Sequence, residues 1–229
     1  MSHHYIEFKN VSYRYPNGHK ALDGISFRIN HGEKVALLGL NGAGKSTILL
    51  HTNGLLLPSE GQVVVGGIPV TKKTAPDVCR VVGMLFQNAD DQLFMPTVEE
   101  DVAFGPMNMN LEPAEVERRV KEALERVGCL HLAKRSPQQL SGGQKKSVAL
   151  ATILSMEPSI LVMDEPTSSL DLRAREDVVR VVEGFDHTCL IATHDLELAE
   201  RLCPRSILIS SGRIIADAPT PAVLRQYRS

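Results

Sequence analysis

Gly39-Leu40-Asn41-Gly42-Ala43-Gly44-Lys45-Ser46 has the spacing G-x-x-x-x-G-K-S without a gap, the pattern of a phosphate cradle. Glycines let a backbone wrap an anion without Cβ collisions, and successive N–H groups then point into one concavity. A helix opening at Lys45 adds the partial positive charge of its N-terminus. Lys45 brings a full charge to the β- and γ-phosphates, and the Ser46 hydroxyl is placed to ligate Mg²⁺. The chemistry is binding of a nucleoside triphosphate. A second group, Ile160-Leu161-Val162-Met163-Asp164-Glu165, is an apolar run that ends in two carboxylates. Side chains alternate along a strand, so the two acids are expected to point apart and do different work. Asp164 is the candidate to hold Mg²⁺, through water, and Glu165 to act as general base on an attacking water. A cradle alone does not separate a kinase, a GTPase and an ATPase.

These groups need rigid elements behind them. Lys34 to Leu38 is a nearly continuous apolar run, which suits a central strand covered on both faces. It leads into the glycine-rich loop, and a helix is expected from Lys45 to about Asn53. Further strands are expected at Ile6–Phe8, Val11–Tyr13, Ile25–Ile29, Gln62–Val65, Val81–Phe86, Ile160–Met163, Thr188–Ala192, Ile207–Ile209 and Ile214–Ile215. Between Asp90 and Gln139 the pattern turns helical, with loops expected at Pro96, Pro106 and Pro113. Val116, Val120, Leu124 and Val127 recur at helical spacing, with Glu112-Pro113 as the start and Gly128 as the stop. Later helices are expected over Gly143–Leu154, Ala174–Gly184, Asp195–Leu202 and Ala222–Tyr227. Strands alternating with helices imply an α/β fold with a largely parallel sheet.

A length of 229 residues suits one large domain, or one domain carrying a subdomain. Hydrophobic residues at 43% and a net charge of -2 exclude a disordered chain. With 25 basic against 27 acidic residues there is no overall basic field, so no nucleic-acid partner is expected. Cys79, Cys129, Cys189 and Cys203 are scattered, without a C-x-x-C pair, and read as reduced, mostly buried thiols. Met1–Lys9 is too short and polar for a secretory signal, and no apolar run approaches the ~18 residues of a membrane span. His3-His4 reads as a solvated chain start, and the other histidines show no ligand spacing.

Leu140-Ser141-Gly142-Gly143-Gln144 resembles the signature segment of the ATP-binding cassette (ABC) ATPases. Other family motifs appear in order. Tyr15, ahead of Tyr13, looks like the aromatic that stacks on adenine; Gln87 looks like the Q-loop glutamine. Ser168-Ser169-Leu170-Asp171 looks like the D-loop, and His194 like the switch histidine. The resemblance covers essentially the whole chain. It implies a P-loop ABC cassette: a mostly parallel core sheet, an antiparallel β subdomain and an inserted helical subdomain. Residues 1–229 then form a single nucleotide-binding domain, with the helical subdomain at about 90–139 continuing into the signature helix to about 155.

The resemblance also implies a site. ATP and Mg²⁺ are the cofactors. Gly39, Asn41, Gly42, Ala43, Gly44, Lys45, Ser46 and Thr47 hold the phosphates; Ser46, Gln87 and Asp164 attend the metal; Glu165, His194 and Gln87 serve hydrolysis. Ser141, Gly142, Gly143, Gln144 and Asp171 serve the ATP of a second chain, since Ser141–Gly143 opening a helix make a second anion site. Two nucleotides are then sandwiched in a two-fold homodimer that forms on ATP binding. One departure from the family stands at Ser147, where a basic residue is common; Lys145 and Lys146 precede it.

A cassette without membrane spans needs a transmembrane partner. Phe86–Phe94, with Asp90 and Asp91 placed to receive arginines, and Glu100–Asn108 resemble the energy-coupling factor branch of importers. That branch implies a transmembrane coupling protein, a substrate-capture membrane subunit, and a position on the cytoplasmic face of the cell membrane. It implies no direct contact with the transported substrate. Phe104-Gly105-Pro106-Met107-Asn108 and His51–Leu56 look most like the cobalt or nickel members; biotin and other vitamin systems use close relatives. A soluble cassette ATPase acting on DNA or ribosomes, and a P-loop kinase, are the competing classes.

Overall fold

The computed structural model describes residues 4–228, so His3 of the His3-His4 pair lies outside the described residues. The chain divides into two compact units. The first runs through Val82 and adds Ser159–Glu165 and everything from Asp186 onward; the second comprises Gly83–Pro158 and Pro166–Phe185.

Two sheets build the first unit. One is antiparallel, in the order β2-β1-β4-β5: β1 (Ile6–Arg14), β2 (Lys20–Ile29), β4 (Glu60–Val65) and the short β5 (Ile68–Pro69). Ile6 and Phe8 on β1 and Ile25, Phe27 and Ile29 on β2 are buried, as alternation requires, and a register shift between Phe8 and Val11 returns Val11 to the buried face. The other sheet carries β3 (Lys34–Leu38), β7 (Ile160–Asp164), β8 (Thr188–Ala192), β9 (Arg205–Ser210) and β10 (Arg213–Pro219) in the order β10-β9-β3-β8-β7. β3 pairs in parallel with β8 and β9, β8 with β7, and only β10 turns back antiparallel on β9. Val35–Leu38, Ile160–Met163 and Cys189–Ala192 are wholly buried, because a parallel strand is covered on both faces. This unit also holds α1 (Lys45–Thr52), α2 (Ala75–Val81), α7 (Leu196–Leu202) and α8 (Thr220–Arg228). Asp195 caps α7, its side chain accepting from Leu198 N at 3.0 Å.

β6 (Val82–Leu85) carries the chain into the second unit, which is built on α3 (Val98–Asn108), α4 (Pro113–Arg126), α5 (Gly142–Leu154) and α6 (Leu172–Glu183). α4 starts after Glu112 as expected, and Gly128 ends it with φ +68. Gly143 lets α5 approach α6: a Cβ there would stand 2.8 Å from Ala174 Cβ.

Three local expectations change. Val81 ends α2 instead of opening a strand, since a seven-residue helix is too short to show periodicity. α6 begins at Leu172, because Asp171 accepts from Ala174 N at 2.8 Å and caps it there. Pro106 lies inside α3 and not in a loop. A proline has no N–H for the carbonyl four residues before it, here Val102. The buried Ser155 hydroxyl donates to that carbonyl at 2.8 Å, so the helix continues past the proline. Of the cysteines, Cys129, Cys189 and Cys203 are buried and Cys79 is exposed. Burial pushes the thiols of Cys189 and Cys203 up to about 12, which leaves them inert.

The Ser155–Val102 bond gives a stability prediction. Ser155→Ala should cost about 1–3 kcal/mol, the penalty of an unsatisfied buried carbonyl. In a Pro106→Ala background, which restores an N–H, the same change should cost less. Equal costs in the two backgrounds, measured by urea unfolding, would refute the link.

Candidate functional site

The glycine-rich loop leaves the C-terminal end of β3 and enters α1 through Gly44, at φ +110. Its backbone is pressed against neighbours on both sides. A Cβ on Gly39 would lie 2.4 Å from the Ile209 carbonyl oxygen, and one on Gly44 2.8 Å from that of Ala21. Glycine is required at both for contact as well as conformation. Asn41 and Gly42 are exposed at the loop tip, Ala43 is buried, and the Ser46 side chain is open to solvent.

Lys45 is only 7% exposed. Its ammonium donates to the carbonyls of Gly39 at 2.7 Å and Leu40 at 3.3 Å. A cation buried with carbonyl partners holds charge that a polyanion can neutralise. Thr47 is buried, and its hydroxyl pairs with the Tyr15 hydroxyl at 3.1 Å, so the expected adenine aromatic is tied to α1.

Sequence reasoning gave no role to His51. It is fully buried one turn along α1, and its Nδ1 lies 2.6 Å from the Thr47 carbonyl. Tyr13 packs edge-on between His51 and Tyr15, with centroids 4.9 Å away in both cases. Burial pushes the imidazole below its ordinary range, so it sits neutral. No spacing rule marks such a residue.

β7 ends at Asp164, which is buried and in register with Ala192 of β8. Glu165 lies outside the strand at φ +47. The turn into the left-handed region, and not strand alternation, therefore sets where its carboxylate goes. Such a conformation is costly for a residue with a Cβ and persists only when neighbours enforce it. Here Glu165 N donates to the Ala192 carbonyl at 2.9 Å. The carboxylate is 5% exposed, and Oε2 accepts from Thr193 Oγ1 and His194 N, both at 3.3 Å. His194 Nδ1 stands 2.8 Å from the same oxygen, with the His194 side chain 65% exposed. A buried, oriented carboxylate bearing an exposed imidazole can accept a proton from water and present a donor to an anion.

In the second unit, Gln87, Asp90, Gly142, Lys145, Ser168 and Leu170 line one cleft of about 330 Å³. Lys146 is buried and donates to the carbonyls of Phe86 at 3.0 Å and Gln87 at 2.6 Å. Lys145 meets Asp90 at 2.6 Å. The two lysines before Ser147 thus fasten the start of α5 to the segment around Gln87. Asp90, expected to await an external arginine, has an internal partner, whereas Asp91 faces the Asn88 amide at 3.4 Å. Ser141 caps α5, and Gln144 answers with its side chain on Ser141 N at 3.0 Å, a reciprocal capping box. Ser141 and Gly142 are exposed. Phe94 (64% exposed) and Phe104 stack edge-to-face at 5.0 Å on the surface beside Met107.

The model of the ABC transporter family matches residues 22–168. This chain belongs to that family. An ABC transporter ATP-binding protein of Geobacter sulfurreducens, whose name is provisional, is 56% identical over 96% of this chain and 88% of its own. The energy-coupling factor transporter ATP-binding protein EcfA of Methanothermobacter thermautotrophicus is 45% identical over 96% of this chain and 72% of its own. Among solved structures, cbiO1 of Clostridium perfringens, part of the ABC transporter complex cbiONQ, superposes with a TM-score of 0.85. It is 36% identical and is matched over 97% of this chain and 91% of its own. The chain is an ABC ATPase that couples ATP hydrolysis to transport, with ATP and Mg²⁺ as cofactors. The residues present fit those cofactors. A buried ammonium lies in the loop, a hydroxyl is exposed at Ser46, and a buried carboxylate ends β7. No helix among the described residues is long and apolar enough to cross a membrane.

Thr193 should matter without touching nucleotide. Thr193→Val keeps the shape and removes one donor from Glu165. We expect turnover to fall roughly ten-fold, as for losing a hydrogen bond to a charged group, with ATP affinity within two-fold. Unchanged turnover in a steady-state ATPase assay would show that this bond does not orient the carboxylate.

Proposed function

We propose that this chain is the ATP-hydrolysing motor of an energy-coupling factor importer for cobalt or nickel ions. The observation that carries the hydrolytic half is the buried Glu165 carboxylate, held by Thr193 and His194. Glu165 takes the proton of the attacking water. His194, tethered through Nδ1, contacts the γ-phosphate and senses its loss. Lys45 and the loop N–H groups bind the phosphates, with Asn41 and Ala43 shaping the loop. Ser46, Asp164 and Gln87 attend Mg²⁺, which neutralises phosphate charge when bound. Tyr15 stacks on the base.

The Ser141-Gly142-Gly143 start of α5, exposed at Ser141 and Gly142, serves the γ-phosphate of a second copy, and Asp171 supports that interface. ATP then closes a homodimer, and hydrolysis lets it open. Residues 1–229 act as one nucleotide-binding domain, with the helical subdomain at about 90–139 running on to about 155. The partners are a transmembrane coupling protein and a substrate-capture membrane subunit, so the chain works peripherally at the cytoplasmic face of the membrane. Transported substrate does not touch it. The EcfA relative and the cbiO1 neighbour support this branch. The exposed Phe94–Phe104 pair, with the exposed Asp91 three residues before Phe94, suits an amphipathic coupling helix that carries arginine.

Two tests separate the halves. Glu165→Gln should retain ATP binding and slow hydrolysis by about 10²–10⁴, whereas Lys45→Ala should lose nucleotide affinity itself. Near-normal turnover in the first variant would remove Glu165 as base. Phe94→Asp with Phe104→Asp should spare ATPase activity of the isolated chain and prevent its recovery with an integral membrane protein. Recovery at parental levels would refute the docking surface. Uptake of radiolabelled Co²⁺ or Ni²⁺ by vesicles holding the assembled complex, against uptake of biotin, tests the cargo.

A further inference from the structure

Three histidines that are far apart in sequence meet on the first unit. His4 precedes β1, His31 lies in the turn between β2 and β3, and His187 immediately precedes β8. Their ring centroids are 5.4 Å apart for His4–His31, 6.1 Å for His4–His187 and 6.0 Å for His31–His187. Along the chain these histidines show no ligand spacing; the fold brings their rings together.

One buried side chain links the segments that carry them. Thr188 has no exposed surface. Its hydroxyl donates to the His4 carbonyl at 2.6 Å and accepts from Gly32 N at 3.1 Å. It is itself the neighbour of His187. Thr188 therefore ties the backbone of His4 to that of Gly32, the residue after His31. The β3–β8 pairing, with Lys34 opposite Cys189, joins the segments that follow His31 and His187.

We propose that His4, His31 and His187 form a binding site for a first-row divalent transition ion of the Zn²⁺, Ni²⁺ or Co²⁺ class. Imidazole nitrogen is the donor these ions favour. A metal–nitrogen distance of ~2.0–2.1 Å in a tetrahedral site puts ring centroids roughly 5 Å apart. The observed triangle is slightly wider. With the side chains as they stand, no group of three such donors among the described residues is placed to hold a metal ion. Closure needs rotation of side chains of which His31 and His187 are exposed, a motion of picoseconds to nanoseconds. Three protein ligands leave a fourth position for water. The site lies at the opening ends of β3 and β8, whereas the phosphate loop follows the closing end of β3. The five residues of that strand separate them by roughly 17 Å. Binding here would clip the region of His4 to the β2–β3 turn and the start of β8. This inference is independent of the cargo proposed above.

The test uses the full chain, stripped of metal with chelator and free of nucleotide. Zn²⁺ is titrated by calorimetry, and Co²⁺ by its visible absorption, which reports nitrogen ligation. The expected result is saturable binding of one ion per chain, with a raised melting temperature. His31→Gln and His187→Gln should each weaken it by at least about ten-fold. His131→Gln, an exposed histidine elsewhere, should leave it intact. ATPase KM should be unchanged in all three variants, which also shows that they fold. The proposal is overturned if the parent shows no one-to-one binding. It is equally overturned if the double variant His31→Gln/His187→Gln binds like the parent, or if all three single changes weaken binding alike.

Discussion

A full positive charge is buried at the end of β3, and its partners are carbonyl oxygens of its own loop. Burying an ammonium is expensive unless the surroundings satisfy it or a ligand later will. Much of the first unit follows from that constraint. β3 is buried on both faces, so the loop leaving it is held from below. The backbones of β9 and β2 press on Gly39 and Gly44 closely enough to forbid a side chain at either position.

The acid opposite obeys the same logic with the sign reversed. Glu165 is a buried carboxylate in a left-handed backbone conformation, two features that cost stability. Both are maintained by the last residue of β8 and the short stretch that follows it. Ala192 takes the Glu165 N–H, while Thr193 and His194 donate to its side chain. Asp195 then ends that stretch by capping α7 and by donating its N–H to the Thr193 hydroxyl. Four consecutive residues thus position one carboxylate, and a change at any of them should reach the acid.

The second unit is organised by caps and by two lysines. Ser141 and Asp171 each use a side-chain oxygen to start a helix, which fixes where α5 and α6 begin. Lys146 holds the carbonyls before and at Gln87, so movement of that segment is coupled to the helix opened by Ser141. The absence of a basic residue at 147 therefore does not leave the helix unanchored; the charge acts one and two residues earlier.

Contiguous features were legible in the sequence. An apolar run before G-x-x-x-x-G-K-S, another ending in Asp164, and turn residues between alternating segments reflect local backbone rules, and those rules need no knowledge of distant residues. The parallel core sheet followed from them, as did the placement of the phosphate loop between a strand and a helix. Other features depended on residues far apart in the chain. Pro106 stays helical because Ser155 takes over a hydrogen bond, and Asp90 is occupied by Lys145. His51 reaches Tyr15 through Tyr13, and the rings of three histidines distant in sequence come together. Spacing encodes what neighbours along a chain can do, because helix and strand periods are fixed. Which distant side chains share a hydrogen bond is settled only when the sheets and helices pack.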